Sequence, residues 1–358
     1  MHILFVTRKY PPSTGGMENA AYELYTALSA DNDVTLVKWG GKNKLLPVVY
    51  PWLLARALVS GLMHRPDVIY LQDGIMAPLG WILKGLIRRP TVMTIHGLEA
   101  TYQNPLYKVM VTPFIRRQSR LVAVSNETKH KVEQGLPGAH PSVIFNGLRD
   151  SFYAPKDRIE YLQLIARGSG IPLEQLQASK LLHTGGRLVR RKGVLWFVDN
   201  VMSQLDASVM YLVSGKGKDQ EAIEAAIKDH GLEQRVKLLG RVSDELLRAL
   251  YNTADMFVMP NIPTPNDMEG FGLVALEAAS CGTTVVAAQL EGIQDAIIDR
   301  QNGLLVHPGD AAGYIGIIGR ELQNRSLQPQ AVRDYTLAHY SWDETARQYI
   351  ALMQQLTA

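Results

Sequence analysis

Residues 256–280 read MFVMPNIPTPNDMEGFGLVALEAAS. The run 256–260 is short and apolar, with the length and composition of a strand. Pro263 and Pro265 hold the next residues in an irregular loop, and Gly270 and Gly272 then open a helical stretch over 272–280. A strand that leads through a glycine-bearing loop into a helix is half of a βαβ unit. The first turn of that helix leaves free N–H groups at the positive end of its dipole, an anion site by geometry.

The same rhythm extends in both directions. Strand-like runs fall at 180–183, 209–214, 236–239, 283–288 and 303–306, separated by helical stretches at 194–205, 221–229 and 244–253. Upstream they fall at 2–7, 33–39, 67–72, 91–96, 120–125 and 142–146. In the stretch 17–30, Ala21, Leu24, Tyr25 and Leu28 make the i, i+3, i+4, i+7 stripe of a helix with one apolar face. The strands are near-continuous apolar runs, as a parallel sheet covered on both faces requires, and the crossovers are expected to be right-handed. Pro155, Gly168, Gly170 and Pro172 interrupt the pattern across 150–178, which reads as a linker with a helical turn. A capping box, Ser341 with Glu344, opens a last helix over 341–356. The expected fold is α/β: two doubly wound, Rossmann-like domains facing across a cleft, over 1–160 and 178–340. Ligands in such sheets sit at the carboxyl ends of strands, so the loops after strands are where chemistry is sought.

Composition limits the classes. The chain has 358 residues, of which 46% are hydrophobic and 20% charged, which argues against disorder. A single cysteine, Cys281, excludes an internal disulfide framework and a multi-cysteine zinc site, and it fits a reducing cytosol. The start, MHILFVTRKYPP, has no basic region ahead of an apolar run, so no secretory signal is expected. The apolar stretches 47–63 and 75–87 are broken by Pro51 and Arg56 and by Pro78 and Lys84, so no membrane span is expected. Residues 1–150 carry 17 Lys and Arg against 10 Asp and Glu, while 151–358 carry 20 against 24. A basic first half and a faintly acidic second half suggest different partners.

Four motifs lie in the loops after strands. Glu269 and Glu277 bracket Gly270, Phe271, Gly272 and Leu273. Eight residues of helix span about 12 Å, whereas the carboxylate pair of a retaining glycosidase stands about 5–5.5 Å apart. The two glutamates therefore suit hydroxyl binding at two places on one ligand, each carboxylate accepting from a diol. The bland alternative is an acid at a helix start and a solvated one further along. The second motif, Gly185-Gly-Arg187-Leu-Val-Arg190-Arg191-Lys192-Gly193, brings four cations to a glycine-flanked turn and suits a pyrophosphate. A solvated basic loop is the alternative. In the third, Pro11 to Glu18, Gly15 and Gly16 let backbone approach a ligand, although the dinucleotide G-x-G-x-x-G spacing is absent. In the fourth, Thr94-Ile-His96-Gly97, a strand delivers a histidine to the cleft; a lone histidine is as readily structural.

Other signatures are missing. The chain has no Walker A loop, H-E-x-x-H pair or G-x-S-x-G elbow, and Asp31-Asn-Asp33 precedes a strand instead of ending one, so no metal site is expected.

Taken together, these motifs resemble the family 4 retaining glycosyltransferases of the glycosyltransferase-B fold. The resemblance spans nearly the whole chain. It rests on residues 11–16, His96-Gly97, Arg187 with Lys192-Gly193, the Glu269–Glu277 segment, Asn302-Gly303-Leu-Leu-Val and the terminal helix after Ser341-Trp342. It implies that the second domain binds a nucleotide sugar, that the first binds the acceptor, and that the helix 341–358 returns to complete the first. Arg187 and Lys192 would hold the diphosphate and Glu277 the ribose hydroxyls. Glu269 would hold a sugar hydroxyl, helped by backbone from Gly270 to Leu273, and Gly15 and Gly16 would approach the phosphates. His96 would face the sugar, with Arg241 and Val242 near the base. Two departures stand out: Glu291-Gly-Ile-Gln-Asp295 replaces a Gly-Gly-x-Pro-Glu run, and Asn146-Gly-Leu-Arg149 replaces Asn-Gly-Val/Ile-Asp.

The implied activity is metal-independent, retaining transfer of a hexose-type sugar from a UDP- or GDP-sugar, with no cofactor. The acceptor would be a glycan or lipid-linked molecule of cell-surface polysaccharide or glycolipid synthesis. An epimerase, a phosphorylase or a small-molecule glycosyltransferase of the same fold is the alternative. No nucleic-acid motif is present. In the first domain, 51–65, 81–89 and 105–120 mix apolar residues (Trp52, Leu53, Leu54, Leu58, Leu62, Trp81, Leu106, Phe114) with arginines and lysines. That pattern suits an anionic membrane surface, and the expected location is the cytoplasm, peripheral to the inner face of the plasma membrane.

Overall fold

The structure is a computed structural model that describes residues 1–13, 15–41, 43–97, 99, 102, 104–148 and 152–357, with the Asn43 side chain left aside. Thr14 and Arg149, which belong to two of the motifs, lie outside the described residues. The chain forms two units, Met1–Gly147 with Tyr340–Ala358, and Leu148–His339.

The first unit holds β1 (His2–Thr7), β2 (Asp33–Lys38), β3 (Val68–Leu71), β4 (Thr91–Ile95), β5 (Arg120–Ala123) and β6 (Ser142–Val143). They form a parallel sheet in the order β2-β1-β3-β4-β5-β6. Alternation along β1 sorts its side chains to two cores. Leu4 and Val6 pack with Leu53, Ala57, Leu79 and Leu83, from the helices Leu46–His64 and Ala77–Ile87. Ile3 and Phe5 pack with Leu24 and Leu28 of Gly16–Asp31 and with Trp342, Ala346, Tyr349 and Met353 of the helix Trp342–Thr357. The Ser341 hydroxyl accepts the Glu344 N–H and so caps that last helix. Gly147 has no room for a Cβ against the Trp342 backbone, so the helix seats directly on the chain leaving β6.

The second unit holds β7 (Lys180–Gly185), β8 (Val209–Ser214), β9 (Val236–Gly240), β10 (Met256–Met259), β11 (Thr284–Ala288) and β12 (Gly303–Val306). Its parallel order is β12-β11-β10-β7-β8-β9. The order reverses between β7 and β10, and in the first sheet between β1 and β3. Loops at such a switch point diverge and leave a crevice for ligands.

Two expectations need correction. The segment 150–178 carries more than a helical turn. Arg158–Ser169 is a helix that buries Tyr161, Leu162 and Ile165 against Leu246, Ala249 and Leu250, and Leu173–Ala178 follows it. Gly168 lies inside the helix, where a Cβ would crowd Leu246, and Gly170 is its left-handed C-cap, at φ 73°, so these glycines belong to a helix and its end instead of marking a linker. Because this helix packs on the second sheet, Leu148 and residues 152–160 belong with the second unit. The helix Leu46–His64 also runs on through Pro51, and by length and composition alone it is long and apolar enough to cross a membrane.

Candidate functional site

In the second unit the loops after β7 and β10 meet at the switch point. Gly193 adopts φ 68°, and a Cβ there would collide with the Pro260 carbonyl. Glycine therefore lets the short 3-10 turn Arg190–Lys192 lie flat against the exit of β10, where the Ile262 N–H donates to the Arg191 carbonyl at 3.0 Å. This contact aims two adjacent cations at one carboxylate. Lys192 Nζ lies 2.6 Å from Glu269 Oε2. The Arg191 guanidinium donates to Glu269 and, at 3.0 Å, to Asp267. Asn261 Nδ2 adds a third donor to Glu269, at 3.1 Å. The Glu291 carboxylate accepts the Glu269 N–H at 2.5 Å, which fixes the backbone of the same residue.

Electrostatics follows from burial and pairing. Burial alone would raise the Glu269 carboxyl, but the Lys192 ammonium and Arg191 guanidinium outweigh it and hold its pKa at about 2. Burial lowers the Lys192 ammonium, with Glu269 opposing. Glu277 behaves differently. It sits on the helix Leu273–Ser280, burial pushes its carboxyl up to about 7, and the Tyr251 hydroxyl that donates to it at 2.7 Å only partly offsets this. The site thus holds one carboxylate ionised at every ordinary pH and another that titrates near neutrality.

The remaining predicted groups divide by burial. Arg187 and Arg190 are exposed, so the four cations of the basic loop do not converge; only Arg191 and Lys192 turn inward. Phe271 is buried, and Gly272, at φ 95°, is the left-handed N-cap of the glutamate-bearing helix. Gly270 and Leu273 flank that cap half-buried. Arg241 is exposed, whereas Val242 packs into the apolar cluster of Leu246 and Leu250. Beneath the loop His183 is fully buried, 2.9 Å from Ser214 Oγ, with its pKa lowered to about 3 by burial.

The first unit has its own cluster at the β1–β3 switch point. Arg8 and the fully buried Asp73 pair at 3.1 Å. His96 follows β4 and turns to Gln72 at the end of β3, with its Nε2 at 2.9 Å from the Gln72 carbonyl oxygen. Gly15 and Gly16 are exposed at the start of the helix Gly16–Asp31. Glu18 in that first turn is buried and paired with Lys9 at 2.8 Å, so a protein carboxylate already stands beside the helix start. Among the described residues no three His, Cys, Asp or Glu side chains group as metal ligands.

Residues 178–324 match the family model for glycosyl transferases group 1, and residues 14–152 match that for glycosyltransferase family 4. The chain is a family 4 glycosyltransferase. An uncharacterised glycosyltransferase of Methanocaldococcus jannaschii is 25% identical over 98% of this chain and 97% of its own. The D-inositol 3-phosphate glycosyltransferase of Corynebacterium urealyticum is 27% identical over 81% of this chain and 72% of its own. Anabaena HepE, solved in complex with UDP, superimposes with a TM-score of 0.80 at 21% identity, covering 99% of this chain and all of its own. The architecture is therefore the glycosyltransferase-B fold.

Sequence reading of this glycosyltransferase singled out Lys192, Glu269 and Glu277 but missed their neighbours. Arg191 was one of four cations within six residues, with no periodic signal to say which faces inward. Asp267, Asn261 and Glu291 become visible only when the loops after β7, β10 and β11 are brought together. Tyr251 lies at i and Glu277 at i+26, on separate helices, and no local motif links them.

Proposed function

We propose that this glycosyltransferase moves a hexose-type sugar from a UDP- or GDP-sugar to a glycan or lipid-linked acceptor, with retention and without a metal or cofactor. The observation that carries the donor assignment is the triad Lys192, Glu269 and Glu277 around the N-terminus of Leu273–Ser280. As the donor breaks, negative charge grows on the leaving diphosphate and positive charge on the sugar. Lys192, the exposed Arg187 and the free N–H groups of the helix start would stabilise the first without reorganising. Glu269, ionised throughout, would hold a sugar hydroxyl, and Glu277 would accept from the ribose. Glu269 is engaged by Lys192 and Arg191 and Glu277 by Tyr251, so neither is free to act as a nucleophile, and front-face departure, with the acceptor proton passing to the leaving phosphate, is the preferred course. That HepE was solved with UDP and with UDP-glucose agrees with a nucleotide-sugar donor.

The acceptor reading draws on the first unit. Its residues 34–126 hold 12 Lys and Arg but only three acids, Asp67, Asp73 and Glu99. Asp73 is spent on Arg8, and Asp67 accepts the His2 N–H. The helix Leu46–His64 buries Leu53, Ala57 and Gly61, leaving Val48 76% and Met63 72% exposed. Leu53, expected on the surface, belongs to the core. Pro105–Met110 buries no residue, and its Val109 is 73% exposed. The Arg56 guanidinium lies over Trp52 at 5.6 Å and that of Arg117 over Trp81 at 5.2 Å, keeping charge beside apolar surface. Apolar residues ringed by cations suit the interface of an anionic bilayer, where each cation contributes about 1 kcal/mol. This supports a lipid-linked acceptor and a cytoplasmic, membrane-peripheral location.

A thermal-shift screen against UDP-, GDP- and ADP-sugars tests the donor assignment, because a ligand of the native state raises its melting temperature. A UDP- or GDP-sugar is expected to stabilise the wild type and not Lys192→Ala. Equal stabilisation of both proteins would remove the triad from the donor site.

A further inference from the structure

Tyr349, on the helix Trp342–Thr357, stands at one end of a hydrogen-bonded chain that finishes at His96. Its Oη lies 2.8 Å from Thr94 Oγ1, which lies 2.7 Å from Tyr70 Oη. Tyr70 in turn donates to Gln72 Oε1 at 2.8 Å. All four residues are buried to within 2% of completely. An amide oxygen has no proton to give, so the direction is set from that end. Tyr70 spends its proton on Gln72 and must accept from Thr94, and Thr94 must then accept from Tyr349. A chain with one polarity strengthens along its length. Burial raises both tyrosine hydroxyls, that of Tyr349 to about 12, so neither loses the proton it donates.

The chain decides which edge of Gln72 meets the histidine. With Oε1 held by Tyr70, the amide nitrogen turns to His96, 3.5 Å from ring Nε2. The Gln72 backbone carbonyl lies 2.9 Å from the same ring nitrogen. A ring nitrogen that close to a carbonyl oxygen carries the proton, and the opposing amide nitrogen offers no second acceptor to draw the ring aside. Nδ1 keeps its lone pair and makes no hydrogen bond among the described residues.

We propose that Tyr349 is a positioning residue. Through Thr94, Tyr70 and Gln72 it keeps the Gln72 amide oxygen turned away from His96, so that the Gln72 backbone carbonyl, which sets the Nε2–H tautomer, alone orients the ring and Nδ1 is presented as an acceptor for a hydroxyl of the sugar. This rests on the reading of His96 as a group that faces the sugar. The helix that closes the first unit's core thereby reaches a site residue 253 positions away by way of side-chain hydroxyls.

Long-range proton–nitrogen NMR of the histidine rings in the full chain tests the proposal, with His96 assigned by the signal lost in His96→Gln. In the wild type, His96 Nδ1 is expected in the unprotonated range and Nε2 in the protonated range. Tyr70→Phe and Tyr349→Phe should shift the His96 ring signals and leave the other histidines in place, while Thr94→Ser, which keeps the hydroxyl, should not. With the donor found by thermal shift, Tyr349→Phe should lower kcat roughly three- to tenfold with KM nearly unchanged, and should have no further effect in a His96→Gln background. The opposite tautomer, or ring signals that ignore both tyrosine variants, overturns the proposal. If His96→Gln transfers sugar at the wild-type rate while the ring still responds to Tyr349, the relay stands and the sugar-facing role of His96 falls.

Discussion

Lys192 Nζ and Glu269 Oε2 lie 2.6 Å apart, with side chains only 9% and 13% exposed, and Arg191 closes the pair from the other side. A charge taken out of water is tolerated only when paired. Lys192, which would meet a diphosphate, is therefore held in place, before any ligand arrives, by the carboxylate that would meet the sugar.

Lys192→Ala is expected to cut turnover at saturating donor by at least tenfold. It should also lower the melting temperature, because Glu269 loses a buried partner. Adding Glu269→Ala should restore part of that stability, since no buried charge then lacks its counter-ion. Arg187→Ala should cut turnover likewise but leave the melting temperature unchanged, since its side chain is exposed. Calorimetry beside steady-state rates separates the two; wild-type turnover in either variant would remove that residue from the donor site.

Glu277 should make donor binding depend on pH near neutrality. Its folded pKa of about 7 lies above the ordinary 4.5, so the folded state keeps a proton that the unfolded chain has lost. Stability from this group is present below about 4.5 and falls as pH rises through 7. Donor affinity should move the other way, since the ionised carboxylate is the stronger acceptor for ribose hydroxyls. Titrating donor KM from pH 6 to 8 is expected to show it falling, with the slope lost in Glu277→Gln. A slope that survives the substitution assigns the titration elsewhere.

Glu269 has the opposite sign. Its folded pKa of about 2 is depressed, so its contribution is present above 4.5 and lost as pH falls toward 2. Acid unfolding should come at higher pH in Lys192→Met, where the carboxyl rises with one cation gone.

Activity should persist in excess EDTA, because Lys192 and Arg187 would supply the charge that a metal supplies elsewhere. Loss of turnover restored by magnesium or manganese would refute metal independence.

Vesicles containing phosphatidylglycerol should co-sediment the protein at low salt. Binding should weaken with salt and with replacement of Arg88, Arg89, Arg116 and Arg117 by glutamine. Failure to bind any anionic vesicle at low salt would leave a soluble acceptor as the better reading.

Much of the fold was legible because buried parallel strands write themselves as apolar runs. β1, β8 and β12 begin and end where the runs do. The helix Arg158–Ser169 was not, because its interior Gly168 and its cap Gly170 sit among prolines and look like a linker. In the site, the glutamates stood out through the glycines around them. The choice of Arg191 and Lys192 over Arg187 and Arg190 as the inward pair depends on Gly193 meeting Pro260, a contact across 67 residues. His96 was found by its place after a strand, but its partner Gln72 is 24 residues away, and the chain behind Gln72 reaches Tyr349.

The seating of Trp342, Ala346, Tyr349 and Met353 against Phe5, Tyr70, Val92 and Val122 also sets an order of events on the ribosome. The second unit is contiguous, from Leu148 to His339, and has every strand of its sheet once β12 has emerged. The first unit is synthesised earlier but cannot close one side of its sheet until residues 342–353 arrive. At roughly 5–20 residues per second, that side waits about 10–40 seconds after β6 is made. During that interval the nascent chain carries an apolar sheet face covered only in part, by the helix Gly16–Asp31, a target for chaperones, and the half made first is the half that folds last.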